Sequence, residues 1–331
     1  MPGPQTGTAT PLAVVLVHWD QPERCSATVA AFRAQGVPLT ITVVDNGSTP
    51  EALAALRAEL VDVELVELGR NVGFGPAANV GFRRWLTEGQ GEWVALAPHD
   101  ALPQPGCLER VLAAVGDRPR AGLACADVGD GEVPVVDPYF GGITLPPSRA
   151  RLGSVVGWAE RVGSDRDRTS VVTRPTPADD GWQPAGYPHG TLLFARRACL
   201  EDIGLFDERY FAYCEEADLG ERARRAGWEV GIVRGADVRN PYLGGGAAVV
   251  DYLMLRNTLL LVRSHFGRYR AAVRVVIALL HVARGSLHPS TRPWIFAPIA
   301  RLRAVADHCR SRYGPPPAIL SLLGRTTRPR G

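Results

Sequence analysis

Lysine is absent from the 331-residue chain; all 37 basic residues outside the seven histidines are Arg. That excludes every mechanism built on a lysine amine, whether Schiff base or phosphate-binding loop. The pattern reads as a coding bias rather than as chemistry. The six cysteines, Cys25, Cys107, Cys125, Cys199, Cys214 and Cys309, form no CxxC pair. Neither a zinc knuckle nor a disulfide framework is expected, and buried free thiols in a reducing compartment are. No apolar run reaches the roughly 18 residues needed to cross a bilayer. The opening MPGPQTGTAT lacks the charged and apolar regions of a signal peptide. These absences predict a cytoplasmic protein, either free or held peripherally on the inner face of the membrane. Internal repeats, low-complexity tracts and RRM, KH or helix-turn-helix signatures are also missing, so no nucleic-acid partner is expected.

What is present is a hydrophobic fraction of 46%, enough for a substantial core, and 63 Gly and Pro residues (36 and 27) to punctuate it. PLAVVLVHWD, LTITVVDNGST, VELVELG and GEWVALAPHD read as strands. PERCSATVAAFRAQG, PEALAALRAEL and the segment after NVGFG read as helices between them. This alternation predicts an α/β fold with a parallel sheet covered by helices on both faces. Ligands of such sheets sit at the carboxyl ends of the strands, where VDNGS and PHD fall. Residues 127–185 are irregular, rich in Gly, Pro and charge, and predict loops with a hairpin. GTLLFARRACLEDIG restores a strand and a short helix, EADLGERARRAG is helical up to Gly227, and WEVGIV is a last strand.

Charge is unevenly spread. Residues 252–331 hold 14 Arg against one acid, Asp307, which leaves −10 on residues 1–251 of a chain whose net charge is +3. YLMLRNTLLLVRSHFG and YRAAVRVVIALLHVARG are apolar on one side and Arg-bearing on the other. Two readings stand side by side: an amphipathic tail on an anionic membrane surface, or helices packed on the core with Arg facing water. The expected division is an α/β body over 1–251, with an irregular insertion over 127–185, and a basic helical extension over 252–331.

Four stretches hold candidate chemistry. Asp45 in VVDNGST offers a carboxylate to a ligand or closes a simple Asx turn. NVGFGPAANVG has Gly73 and Gly75 ahead of a helix whose N-terminus favours an anion. His99 and Asp100 project from the end of an apolar strand, where a carboxylate can hold a divalent cation against a diphosphate or simply cap a turn. In YFAYCEEADLGERARRAG, Glu215, Glu216 and Asp218 fall within four positions. Acids in a first helical turn meet the dipole favourably. A carboxylate crowded by others and half desolvated also gains proton affinity, which suits a general base.

Taken in order, VVLVHWDQPE, VVDNGST, GRNVGFGPAANVG, HDALPQPGCLERV, GTLLFARRACLEDIGLFDERYFAYCEEADLGERARRAGWEV and YLMLRN resemble the family 2 glycosyltransferases with the GT-A fold, especially their bacterial rhamnosyltransferase-like branch. The likeness spans residues 11–260. It implies a Rossmann-like sheet, and an inverting transferase that moves a sugar from a nucleoside diphosphate, dTDP or UDP, to a hydroxyl acceptor. That acceptor is a glycan, a lipid-linked glycan or a natural product, in cell-wall, polysaccharide or natural-product synthesis. By the resemblance Asp45 contacts the base or ribose, and Asn71 and Gly73 lie against the nucleotide. His18, Asp20, Asn46, Phe74, Asn79 and His99 complete the donor-binding set. Asp100 matches the last acid of the metal motif, so Mn²⁺ or Mg²⁺ is the implied cofactor. The Glu-Asp-x-Asp motif matches Glu215, Glu216, Ala217 and Asp218 and places the base on Glu216.

Three departures modify that picture. Pro98-His99 replaces the usual acids or amide before Asp100, which favours Mn²⁺ or weakens metal dependence. Glu216 stands where the family has Asp, one methylene longer. Asn240 in VRNPYLGGG takes the place of a metal-binding His. They keep open an alternative: a catalytically degenerate nucleotide-sugar binder that serves as a scaffold for another transferase. Expected partners are the nucleotide-sugar, the acceptor, an anionic membrane surface at 252–331, and a second copy of the chain.

Overall fold

The computed structural model describes residues 10–145, 180–240, 247–289 and 295–320. Most of the expected insertion, the PYLGGG stretch and the last three Arg of the tail lie outside these residues.

The first half alternates as its apolar periodicity predicts. β1 (Leu12–His18), α1 (Pro22–Arg33), β2 (Leu39–Asp45), α2 (Pro50–Glu59), β3 (Glu64–Glu67), α3 (Phe74–Glu88) and β4 (Trp93–Pro98) follow in turn. Local signals set the boundaries. At α2, the Thr49 hydroxyl accepts the amide of Ala52, and Pro50 supplies a helical φ where no amide partner is needed. Then come β5 (Leu102–Pro103), α4 (Cys107–Gly116), β6 (Ala121–Asp127), the hairpin β7 (Val133–Asp137) and β8 (Gly141–Leu145), β9 (Trp182–Pro184), β10 (Leu193–Arg196), α5 (Arg197–Ile203), α6 (Glu215–Arg225), β11 (Glu229–Arg239), α7 (Ala247–Leu287) and α8 (Pro298–Cys309).

Among the described residues the main sheet runs β3-β2-β1-β4-β10-β6-β11-β5, with β9 on β11. β1 through β4 are mutually parallel, and β11 is parallel to β6. β10 is antiparallel to both β4 and β6, so the sheet is mixed rather than wholly parallel. That reversal brings the start of β10 beside the end of β4. Side chains alternate across the sheet: Val14 and Leu16 pack with Phe32, Leu56 and Leu108 from α1, α2 and α4. Val15 and Val17 pack with Ala78, Phe82, Leu200 and Leu219 from α3, α5 and α6. Both faces are covered, as a buried sheet of Val and Leu requires.

Helix α7 breaks at Gly267, whose φ of 91° belongs to no helix. The expected boundary at residue 251 falls inside its first arm, where Tyr252, Leu255, Leu259 and Leu260 are buried. Arg256, expected on a solvated face, is only 1% exposed. The first arm therefore follows the packed reading. The second arm differs, for Val276, Leu280 and Leu287 stay exposed, as do Ile299 and Leu302 of α8. Among the described residues no helix is long and apolar enough to cross a membrane. Four cysteines are buried as expected; Cys214 is half-buried, and Cys309 departs from the expectation in being exposed.

Candidate active site

The parallel register aligns three strand ends. His18 pairs with Asp45 across β1 and β2, and Val17 pairs with Pro98 across β1 and β4. His18 and Asp45 are 0% and 1% exposed, with Nδ1 2.8 Å from Oδ1. Asp45 also accepts the Ser48 hydroxyl and, at 3.1 Å on Oδ2, the Ser48 amide. Burial raises its proton affinity, but the His18 and Ser48 hydrogen bonds outweigh that and hold the carboxyl below its ordinary range. Asp45 thus closes the turn from within. Around it, Asp20 accepts the Thr49 amide at 2.7 Å, and Asn46 accepts the Val72 amide at 2.8 Å. Asn46 donates to Asn71 at 3.3 Å, and Asn71 accepts the Gly73 amide at 3.0 Å. Asn46 and Asn71 thereby fasten the turn after β2 to the loop before α3.

His99 and Asp100 follow β4. The His99 ring stands edge-on to His18, centroids 5.4 Å apart, with Nδ1 3.3 Å from the Val17 carbonyl. Burial, aided by the neighbouring His18 and Arg24, pushes His99 down to about 4, so it is neutral near pH 7. Burial likewise raises Asp100, whose Oδ1 accepts Asn240 Nδ2 at 3.2 Å. Asn240, which by the resemblance takes the place of a metal-binding histidine, stands beside Asp100.

The acid cluster opens α6. Three non-glycine residues just before it are left-handed: Phe211 (φ 68°), Tyr213 (φ 70°) and Cys214 (φ 72°). Each costs on the order of 1 kcal/mol or more, so the conformation must be imposed from outside. Asn257 imposes it, donating to the carbonyls of Tyr210 (2.8 Å), Ala212 (2.7 Å) and Tyr213 (2.8 Å). Arg256 adds a bond to Tyr210 O at 3.2 Å. Gly73, itself at φ 101°, lets the α3 loop close on this segment; a Cβ there would lie 2.3 Å from Phe211 O. Phe74 follows, half-buried at the start of α3.

The three acids then diverge. Glu215 is 1% exposed, its Oε2 has no hydrogen-bond partner among the described residues, and its chain passes 3.5 Å from where a Cβ on Gly75 would stand. Burial and the adjacent Glu216 drive its proton affinity well above the ordinary carboxylate range. Glu216 is pushed up by burial to about 7. Its Oε1 lies 2.0 Å from where a Cβ on Gly190 would stand, so a side chain there would displace the carboxylate. Gly190 is three residues ahead of Leu193, which pairs with Leu96 near the end of β4. Glu216 and Asp100 therefore open on the same edge of the sheet. Gly190→Ala is expected to displace the Glu216 carboxylate and lower kcat about 10- to 100-fold, the scale of a 1 Å misplacement. A Tm close to wild type in the same preparation would show that packing, not folding, is the cause.

Two sequence-predicted residues have other occupations. Asp218 accepts from Arg222 Nε at 2.8 Å and lies 2.7 Å from His265 Nε2, a buried brace between α6 and α7. Burial opposes ionisation there, but those partners keep it charged, and no oxygen is left to take a substrate proton. Asn79 is buried inside α3, donating to Phe206 O (2.9 Å) and Glu208 (3.1 Å) and accepting Phe206 N (3.0 Å). It ties α3 to the loop after α5 and does not reach the cleft. Conversely, Asn257 and Gly190 were missed as site residues. YLMLRN was noticeable as a motif, but nothing in it says what Asn257 holds.

Comparison with known proteins agrees with this architecture. Residues 14–141 match the family model for Glycosyl transferase family 2. Over 212 residues the chain is 30% identical to the N-acetylglucosaminyl-diphospho-decaprenol L-rhamnosyltransferase of Mycobacterium tuberculosis, covering 61% of this chain and 66% of that protein. The same identity and coverage hold for the enzyme of a second strain. The mannosyltransferase PcManGT of Pyrobaculum calidifontis, solved with GDP-Man and Mn²⁺, superposes with a TM-score of 0.54 at 16% identity over 92% of this chain and 88% of that one. GalNAc-T7, solved with UDP, GalNAc and Mn²⁺, gives 0.54 at 13% identity over 91% and 54%. The chain belongs to the family 2 glycosyl transferases, with the GT-A fold, and is rhamnosyltransferase-like.

Proposed function

We propose that the protein is an inverting glycosyltransferase, taking a deoxyhexose such as rhamnose from a dTDP- or UDP-sugar to a hydroxyl of a lipid-linked diphospho-sugar. The observation that carries the reading is Glu216: a half-buried carboxylate with a proton affinity near neutrality, opening on the edge that Asp100 shares. The relative that acts on a diphospho-decaprenol sugar motivates the acceptor class.

Glu216 takes the proton from the acceptor hydroxyl as its oxygen bonds to the anomeric carbon. The bond from that carbon to the diphosphate oxygen breaks, its electron pair leaves with the nucleoside diphosphate, and the anomeric configuration inverts. Glu215, its proton affinity raised by burial and by Glu216, limits the negative charge beside the base.

The donor set fits a hard divalent cation that retains several waters: one carboxylate, Asp100, and one amide, Asn240, with diphosphate oxygens to complete the shell. Among the described residues no cluster of three or more His, Cys, Asp or Glu forms a protein-only metal cage. When bound, the cation would offset charge developing on the leaving diphosphate. Neutral His99 backs the strand end through Val17 and is a lesser ligand.

Transfer from dTDP-rhamnose and UDP-sugars to a polyprenyl diphospho-N-acetylglucosamine, with Mn²⁺, Mg²⁺ or EDTA, tests the reading. Turnover is expected with a divalent ion, lost in EDTA and reduced about 10²-fold or more by Asp100→Asn. Asn240 in place of a histidine motivates the rival reading of a silent nucleotide-sugar binder. Tight donor binding with no transfer or hydrolysis under any ion would establish that rival.

A further inference from the structure

The β7–β8 hairpin packs against α6 and α7. A Cβ on Gly142 of β8 would come within 2.9 Å of Ala217 in α6, and one on Gly141 within 2.9 Å of Thr258 in α7. Asp137 closes the hairpin turn, accepting the amides of Tyr139 (2.7 Å) and Phe140 (2.8 Å). The turn presents its aromatic rings to the second arm of α7: the Arg274 guanidinium lies 5.2 Å from the Phe140 centroid, and that of Arg270 lies 6.0 Å from Tyr139.

Arg274 is out of keeping with the other buried arginines. Its Nε and Nη1 are shielded from solvent and have no hydrogen-bond partner among the described residues. Arg256, by contrast, is bonded to Asn257, Tyr210 and Gly314, and Arg301 is spent on Asp251 at 2.8 Å. The charged side chains that reach Arg274 are Arg301 and Asp137. A shielded cation with unmade hydrogen bonds costs stability; an arriving anion removes that cost. Its position is also suggestive. The Cys214 thiol, at the head of α6, feels both the Glu215–Glu216 pair and Arg274. Further along the same arm come the exposed Val276, Leu280 and Leu287.

We propose that Arg274, backed by the Tyr139–Phe140 turn, binds the diphosphate of an isoprenoid-diphosphate acceptor, with the exposed apolar stripe following its lipid. The proposal rests on the acceptor class given above. The diphosphate oxygens take the unmade N–H bonds, and the attached sugar extends toward Glu216. No bond is made or broken at Arg274.

The test compares the full-length wild type with Arg274→Gln, Arg274→Met and Arg274→Lys. Two acceptors are used, a farnesyl diphospho-N-acetylglucosamine and an alkyl N-acetylglucosaminide lacking the diphosphate. KM for the diphosphate acceptor should rise about 10- to 100-fold in the Gln and Met variants, the scale of a charge-assisted hydrogen bond. The Lys variant should recover part of it. Activity on the diphosphate-free acceptor and affinity for UDP or dTDP should be unchanged, and the Met variant should melt no lower than wild type. Equal loss on both acceptors, weaker nucleotide binding, or a lower Tm without acceptor selectivity would each overturn the proposal. If the wild type transfers to nothing, calorimetric binding decides. Farnesyl diphosphate bound by wild type but not by Arg274→Gln keeps the subsite and discards the transferase reading. No binding, or binding no tighter than inorganic pyrophosphate, removes the lipid-diphosphate subsite.

Discussion

Glu216→Gln is expected to fold normally and to lose kcat by about 10²- to 10⁴-fold, the usual contribution of a positioned general base. Donor affinity should stay within a few-fold, because the amide keeps the shape of the carboxylate and abandons only its basicity. In the wild type, kcat should climb with pH through about 7 and level off above it, since the carboxylate must be ionised to accept the proton. The variant should lack that rise. Stability should move the other way. The folded proton affinity of Glu216 lies above that of an ordinary glutamate, so its favourable share of stability is complete at pH below about 4.5 and is lost as pH rises through about 7. Calorimetry at pH 5 and pH 8 should therefore show the variant gaining on the wild type at the higher pH. Glu215→Gln is the control: the proton affinity of buried Glu215 is raised well above the ordinary carboxylate range, so a neutral amide should change kcat little. Wild-type transfer by a folded Glu216→Gln protein would remove Glu216 from the mechanism.

Asn257→Asp should have the second large effect, on folding first and on catalysis through it. The change is nearly isosteric, yet it withdraws the donors that serve three carbonyls and sets carboxylate oxygens against them. Unsatisfied buried acceptors cost about 1–3 kcal/mol each, and the left-handed run at Phe211, Tyr213 and Cys214 loses its clamp. A loss of about 3 kcal/mol, or roughly 6–10 °C in Tm, is expected. At temperatures where the variant remains folded, kcat should still fall, because the relaxed segment feeds directly into the first turn of α6. A Tm within about 2 °C of wild type would mean that the backbone holds the turn without Asn257.

Much of this architecture could be read from local pattern. Apolar runs became β1, β2 and β4; Pro50 and Thr49 marked the start of α2; and Gly227 ended α6. The residues expected at strand ends, Asp45 and Asp100, lie there because periodicity counts residues along one element, and an element's end follows from its length. The placement of the three acids in a first helical turn was legible for the same reason.

Partnership between distant residues was not legible. Glu215, Glu216 and Asp218 share one helical turn and look alike in the chain. The fold buries one with its proton affinity raised, leaves one half-buried with a proton affinity near neutrality, and makes the third a brace. Asp218 was diverted by His265, 47 positions on, and Asn79 by Phe206, 127 positions on. The reversal of β10, which brings Gly190 to Glu216, is a choice of neighbour that its own residues do not announce. Period and composition act within a few residues of chain. Proton affinity and hydrogen-bond satisfaction depend on what burial removes and which group arrives to replace water, and only the packed molecule specifies those.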